Sequence, residues 1–372
     1  MKQYFRNVLI VTLSVVLIFS TTFGVCTASA KDKVSDEEYI ESLLDEMTLK
    51  EKIAQMLFVY VPKEDAKKKQ KKHQYGGYLL FADNFKKSNP DKISTKIGGW
   101  QKVSKISMLI GVDEEGGTVV RVSKFKQFRS KPYKSPRKLA KLGGYKLIKE
   151  DASNKSNTLK KLGINTNLAP VADVTYSSRD FMYQRTFSNN AKKTAKYIHT
   201  VVPMMNKRRV VGTLKHFPGY GGNGDTHKKI IVDKRKLRTF KSRDLLPFEQ
   251  GIKDGVPMIM VNHNIVNAFD KKHPASMSKK VHQYLREDMK FDGIIITDGL
   301  GMKGVVNKYG SNEEVAVRAV KAGNDMLCTP YGVTSVNAIY QAVKDGEISE
   351  KRINASVRRI LRVKLKYGII KK

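Results

Sequence analysis

Eight short apolar runs, each separated by a helix-length segment, constrain this chain more than any other feature. They fall at residues 56–61, 78–81, 108–112, 166–169, 210–214, 258–261, 294–297 and 325–328. The runs are continuous rather than alternating and rich in Val, Ile and Leu, the pattern of parallel strands buried on both faces. Amphipathic stretches lie between them at 136–162, 191–207, 239–254 and 313–322, and a last helix spans 349–366. An eightfold strand–helix alternation predicts an α/β chain closed as a (β/α)8 TIM-type barrel in a single catalytic domain; an open doubly wound sheet would show the same alternation. Ahead of the repeat, residues 35–55 look helical. Ser35 can cap it, and Tyr39, Leu43, Leu44 and Met47 recur at helical spacing.

The N-terminus has a different character. Lys2 and Arg6 precede an apolar run over 8–19, and Ala28-Ser29-Ala30 supplies small residues for cleavage. The run is too short to span a bilayer comfortably, so 1–30 reads as a removed signal peptide and 31–372 as the catalytic barrel, secreted or cell-wall associated. A lipoprotein would use Cys26, but Phe23-Gly24-Val25 makes a poor lipobox. Past the signal one cysteine remains, Cys328, so no intramolecular disulfide supports the fold. Cys328 reads as a small buried residue near the end of the eighth strand. No later apolar stretch approaches eighteen residues, which predicts no stable membrane span.

The formal net charge is +35, from 70 Lys and Arg against 35 Asp and Glu. Lysines cluster at 67–72, 124–138 and 364–372. In an intracellular protein such charge would point to nucleic acid. Export argues against nucleic acid, and an anionic cell-wall polymer is the more natural counter-charge. A solvated, lysine-biased surface without a partner explains the same composition.

Chemistry gathers in residues 215–227, Lys-His-Phe-Pro-Gly-Tyr-Gly-Gly-Asn-Gly-Asp-Thr-His. Four glycines and a proline in thirteen residues mark a loop, yet the loop carries a lysine, two histidines and an aspartate. Asp225 and His227 are close enough in sequence for the carboxylate to hold one imidazole nitrogen, leaving the other to exchange a proton near neutral pH. An inert polar loop is the plain alternative. A metal site from His216, Asp225 and His227 lacks supporting Cys or HExxH spacing, and no metal is expected. Polar residues also follow the apolar runs in a consistent place: Asp113 after the third, Lys215 and His216 at the fifth, His263 after the sixth and Asp298 after the seventh. In a barrel all of these stand at the C-terminal mouth, where active sites assemble. His263 reads equally as a satisfied core histidine.

At these residues the chain resembles glycoside hydrolase family 3, in its NagZ-like β-N-acetylhexosaminidase group. Met47-Thr48-Leu49-Lys50-Glu51-Lys52-Ile53 is similar to the family's opening helix, Gly111 to Gly117 (GVDEEGG) to its VDxEGG turn, and Asn167 to Asp173 (NLAPVAD) to its NLAPVADV segment. Arg185-Thr186-Phe187-Ser188, the KHFPGxG loop with its following DxH, and Ile296 to Met302 (ITDGLGM) complete the resemblance, which runs over about 36–368.

The resemblance implies an exported retaining exo-β-N-acetylglucosaminidase acting on peptidoglycan or chitin-derived saccharides, with no cofactor. Asp298 would be the nucleophile that forms a glycosyl-enzyme, and Asp225 with His227 the acid/base dyad. Most retaining glycosidases pair two carboxylates instead. The glycine-rich loop would close over substrate, and Asp113, Arg121, Arg185, Lys215 and His216 would hold the hydroxyls of the terminal sugar. An ion pair of Asp113 with Arg185 or Lys215 is the structural alternative for those two residues, and a helix N-cap is the alternative for Asp298. The chain departs from the family pattern at Tyr220, often a histidine, at Thr118, often an arginine, and at Gly299, often an aspartate. Its 221–225 loop is also about a residue shorter. The rival functions are a β-glucosidase or glycoside phosphorylase on the same barrel, and a non-catalytic wall-binding protein.

Overall fold

Every expected apolar run overlaps a strand in the computed structural model, which describes residues 35–224 and 230–372. The strands are Leu57–Tyr60, Gly77–Leu80, Leu109–Val112, Thr166–Asn167, Val211–Phe217, Met258–Val261, Ile294–Thr297 and Leu327–Thr329, here the first to eighth barrel strands. All neighbouring pairs are parallel, in the order eighth, first, second and onward to seventh. The ring closes where Ile296 bridges Met326 in parallel. There the Thr297 N–H donates to the Met326 carbonyl at 3.1 Å and the Met326 N–H to Ile295 at 3.0 Å. Closure selects the barrel over the open sheet. Asp36–Lys372 forms one compact unit.

The barrel interior is filled by large side chains against small ones. Phe58, fully buried, points its ring at Gly77 and Gly111, and a Cβ at either glycine would overlap it. A packed interior leaves the C-terminal mouth as the place for a ligand. Outside the strands, one apolar cluster joins the first to third and eighth strands to the terminal helices, and another joins the fifth and sixth strands to the helices Ala191–Lys207 and Leu246–Lys253.

Three local differences from the sequence reading have physical causes. The segment 35–55 is two helices, Asp36–Glu46 and Leu49–Gln55, because Thr48 starts a new one. Its hydroxyl accepts from the Glu51 N–H, and the Glu51 carboxylate accepts from the Thr48 N–H at 2.9 Å, a reciprocal cap that overrides continuing periodicity. Helix Pro136–Lys161 bends at Gly143 and Gly144, where Gly144 has φ 59°. The stretch 239–254 opens through a π-helical turn, Phe240–Asp244, which brings the Asp244 carboxylate within 2.8 Å of Arg235. The C-terminal lysine run is also not wholly surface: Lys364 has no exposed area. Among the described residues, no helix is long and apolar enough to cross a membrane.

Candidate active site

The third strand delivers three acids in a row, and each does something different. Glu114 turns inward and is fully buried. Its carboxylate accepts the backbone N–H groups of Arg121 and Val122 at 2.8 Å each and of Ser123 at 3.2 Å, plus a short bond from the Ser123 hydroxyl. Those donors replace water around a buried carboxylate and fix the loop that carries Arg121. The turn needs Gly116 and Gly117 at φ 99° and 73°, a region costly for other residues.

Asp113 and Glu115 flank one cation. Lys215 Nζ lies 2.7 Å from Asp113 Oδ1 and 2.7 Å from Glu115 Oε1. Arg185 takes the other side of Glu115 in a fork, Nε to Oε2 at 3.0 Å and Nη2 to Oε1 at 2.7 Å. Burial alone would push the Glu115 carboxyl up, but Lys215 and Arg185 together hold it well below the usual carboxylate range. The same balance runs in reverse for Lys215: burial opposes its charge, and Asp113 and Glu115 raise its pKa nonetheless. Arg185 is likewise raised against its own burial, chiefly by Glu115.

His216 follows Lys215 across a cis peptide, and the register of the fifth strand shifts between Lys215 and Phe217. The His216 Nδ1 is 2.7 Å from Asp173 Oδ2, whose partner oxygen accepts the Tyr220 N–H at 2.8 Å. Arg185 Nη2 stands 3.4 Å from His216 Nε2. An arginine can only donate, so Nε2 accepts and the ring proton belongs on Nδ1, toward Asp173.

Asp298 closes the set from the seventh strand. Its backbone N–H donates to Val261 at 2.9 Å, and its Oδ1 accepts the Gly299 N–H at 2.7 Å. The next helix, Lys303–Tyr309, starts from Met302, so Asp298 does not cap it. His263 lies beneath this turn, fully buried, with Nδ1 2.7 Å from the Ser276 hydroxyl and Nε2 3.2 Å from the Gly299 carbonyl oxygen. It is the core histidine of the two readings and supports the turn from below. Cys328 is buried in the eighth strand, and burial, with Asp298 and Asp113 nearby, pushes its thiol well up.

A cavity of about 440 Å³ at the mouth is lined by Asp113, Arg121, Arg185, Lys215, His216 and Asp298 together. Six of the eight expected site residues therefore share one space. Asp225 and His227, the expected dyad, lie outside the described residues. The ion-pair alternative for Asp113 is also present, with Lys215 as its partner, while Arg185 pairs with Glu115 instead. Sequence reasoning gave no role to Glu115, Asp173 or Tyr60. The first two stood inside strand-end motifs already singled out, and that position was their signal; Tyr60 carried none. Among the described residues, no group of three or more His, Cys, Asp or Glu could hold a metal ion.

The closed parallel barrel joins a strand-end carboxylate to a buried cation–carboxylate web at its C-terminal mouth, the end where barrel enzymes assemble their active sites. The profile of the glycosyl hydrolase family 3 N-terminal domain matches residues 48–363, and the chain belongs to that family. A β-hexosaminidase of Photobacterium profundum is 32% identical over 262 residues, covering 68% of this chain and 73% of the relative. The structure of a family 3 β-N-acetylglucosaminidase from Paenibacillus sp. str. FPU-7 superposes with a TM-score of 0.81 at 28% identity, over 87% of this chain. This chain spans 63% of the Paenibacillus enzyme's length. Mycobacterium tuberculosis LpqI superposes with a TM-score of 0.80 at 26% identity, over 88% of this chain and 96% of its own.

Proposed function

We propose that the protein is an exported retaining exo-β-N-acetylglucosaminidase that releases terminal β-linked N-acetylglucosamine from peptidoglycan- or chitin-derived saccharides. The observation that carries this reading is Asp298, a strand-end carboxylate opening on the same cavity as Asp113, Lys215, Arg185 and His216. The names of the β-hexosaminidase relatives support it.

In this reading the Asp298 carboxylate attacks the anomeric carbon, and the bond to the leaving oxygen breaks as His227, oriented by Asp225, gives that oxygen a proton. His227 then takes a proton from water, which displaces Asp298 and returns the sugar with its original configuration. Carboxylate attack and proton transfer require no metal or organic cofactor. Asp113, with its side chain 15% exposed, stays open to accept a sugar hydroxyl while Lys215 neutralises it. Arg121 offers a buried Nε that has no hydrogen-bond partner among the described residues. Glu115, enclosed by two cations, keeps the Arg185 and Lys215 donors in place and is not itself exposed to substrate.

The test is hydrolysis of two aryl β-glycosides, an N-acetylglucosaminide and a glucoside, by wild type, Asp298→Ala and His227→Ala. Preference for the N-acetyl sugar is expected, with kcat of Asp298→Ala down by roughly 10³–10⁵. The His227→Ala loss should shrink with a better leaving group, since an acid matters less when the leaving oxygen needs no proton. Wild type inert on both sugars withdraws the glycosidase reading. Retention on an anionic cell wall through the +35 charge belongs to the same proposal; wall-bound protein that salt does not release would count against it.

A further inference from the structure

Tyr60, the last residue of the first strand, reaches the Asp298 turn from across the eighth strand. It lines the same cavity. Its ring is held edge-on to Phe81, with centroids 4.8 Å apart. Cys328, on the paired eighth strand, lines that cavity too. A Cβ built on Gly299 would fall well inside contact distance of the Tyr60 hydroxyl, whereas it would stand 3.8 Å from the ring carbon bearing it. Gly299 is not among the glycines with positive φ. Its missing side chain is therefore a matter of space rather than of backbone freedom, and the occupant of that space is one oxygen atom.

We infer that Tyr60 is a positioning residue for Asp298: its hydroxyl fills the volume beside Gly299, walls that turn and sets the direction of the carboxylate. The inference rests on Asp298 being the nucleophile. The turn is then gripped from two sides. His263, itself bonded to Ser276, reaches the Gly299 carbonyl, the Tyr60 hydroxyl walls the Gly299 Cα side, and the Gly299 N–H holds Asp298 Oδ1. Burial, followed by Cys328, Asp298 and Asp113, raises the Tyr60 pKa, so the phenol stays neutral and adds no charge beside the carboxylate. A carboxylate that must meet an anomeric carbon in line gains from such a wall, because small misplacements of a reacting group cost rate rather than binding. The pairing also makes position 299 answer to position 60: a side chain at 299 requires the hydroxyl to leave.

The experiment is a double-mutant cycle with Tyr60→Phe, Gly299→Ala and the double variant. It reads kcat and KM on the aryl N-acetylglucosaminide, and the melting temperature of all four proteins. Tyr60→Phe should lower kcat about tenfold with KM changed less than about threefold. Gly299→Ala should lower kcat by about 10²-fold, and the double variant should return to the level of Tyr60→Phe, since phenylalanine leaves room for the methyl group. Unchanged kcat in Tyr60→Phe, unchanged kcat in Gly299→Ala, or losses in the double variant that simply multiply would each overturn the inference. Should wild type cleave neither glycoside, the glycosidase reading fails by itself. The melting temperatures then still decide the pairing: the Gly299→Ala loss should be relieved by Tyr60→Phe, and additive losses overturn it.

Discussion

Lys215 and Lys364 are both enclosed, one at the barrel mouth and one in the C-terminal helix Glu350–Lys366, and they differ above all in counter-charge. Lys215 has two carboxylates at 2.7 Å, and its pKa is raised. Lys364 has the neutral amide oxygen of Gln55 at 2.8 Å and, among the described residues, no carboxylate; burial pushes its pKa from 10.5 down to about 7. Burial disfavours an ammonium in both places, and only counter-charge reverses the sign. At the mouth the protein surrounds its buried cation with acids and keeps donors and acceptors aimed into a cavity. In the outer helix it tolerates a poorly solvated lysine that no proposed chemistry uses.

Removing each lysine should therefore act in opposite directions. Lys215→Met strips Glu115 and Asp113 of their shared cation and should destabilise the fold by about 3–5 kcal/mol, measured by urea unfolding at pH 7. It should also cut kcat/KM on the aryl N-acetylglucosaminide by at least about 10²-fold. A stable Lys215→Met variant would erase the contrast.

Lys364→Met should instead stabilise by roughly 1–3 kcal/mol at pH 6–7, the gain of removing a buried charge offset by a Gln55 oxygen left without its donor. The sign of its pH dependence follows from a folded pKa below the unfolded one. Between about 7 and 10.5 the unfolded chain holds the proton and the folded chain does not, so wild-type stability rises with pH across that window. The advantage of Lys364→Met should accordingly shrink between pH 7 and 10. An advantage that grows with pH would refute the assignment.

Glu115 sharpens the acid side. Its folded pKa is depressed, so its contribution is present above the ordinary carboxylate value of 4.5 and is lost as pH falls below it. Glu115→Gln should flatten the fall in stability below about pH 4.5, in unfolding curves taken from pH 6 to 3.

The smallest effect belongs to the surface end of the C-terminal helix, where Arg362 forks onto Glu37 at 2.7 Å with both side chains well exposed. Glu37→Gln should cost under about 1 kcal/mol and less in high salt. The same charge type thus spans the full range of effect, and the ordering is by enclosure and pairing.

The strand runs were legible because buried parallel strands must be continuously apolar, and six of eight strands cover most of their expected run; the fourth keeps only Thr166–Asn167 of its run and the eighth only Leu327 and Cys328. Asp113, Lys215, His216 and Asp298 were legible for a related reason: a charged residue directly after such a run has few places to be except the mouth. Helix ends were less so. The break at Thr48 depended on a cap that competes with an unbroken periodic pattern. Glu114 and Glu115 are adjacent acids with opposite duties, one bound by backbone N–H groups and one by two cations, and nothing in a pair of glutamates distinguishes them.

By itself, then, the order of residues determined eight buried parallel strands and the strand ends where chemistry stands, because burial on both faces imposes a pattern on neighbours in the chain, while closure into a barrel was left to the tertiary structure. Tertiary structure alone decided which acid meets which cation, that Lys364 faces inward, and that the hydroxyl of Tyr60 fills the space beside Gly299. These depend on distances between residues from 70 to 309 positions apart, and such distances exist only once the ring of strands has closed.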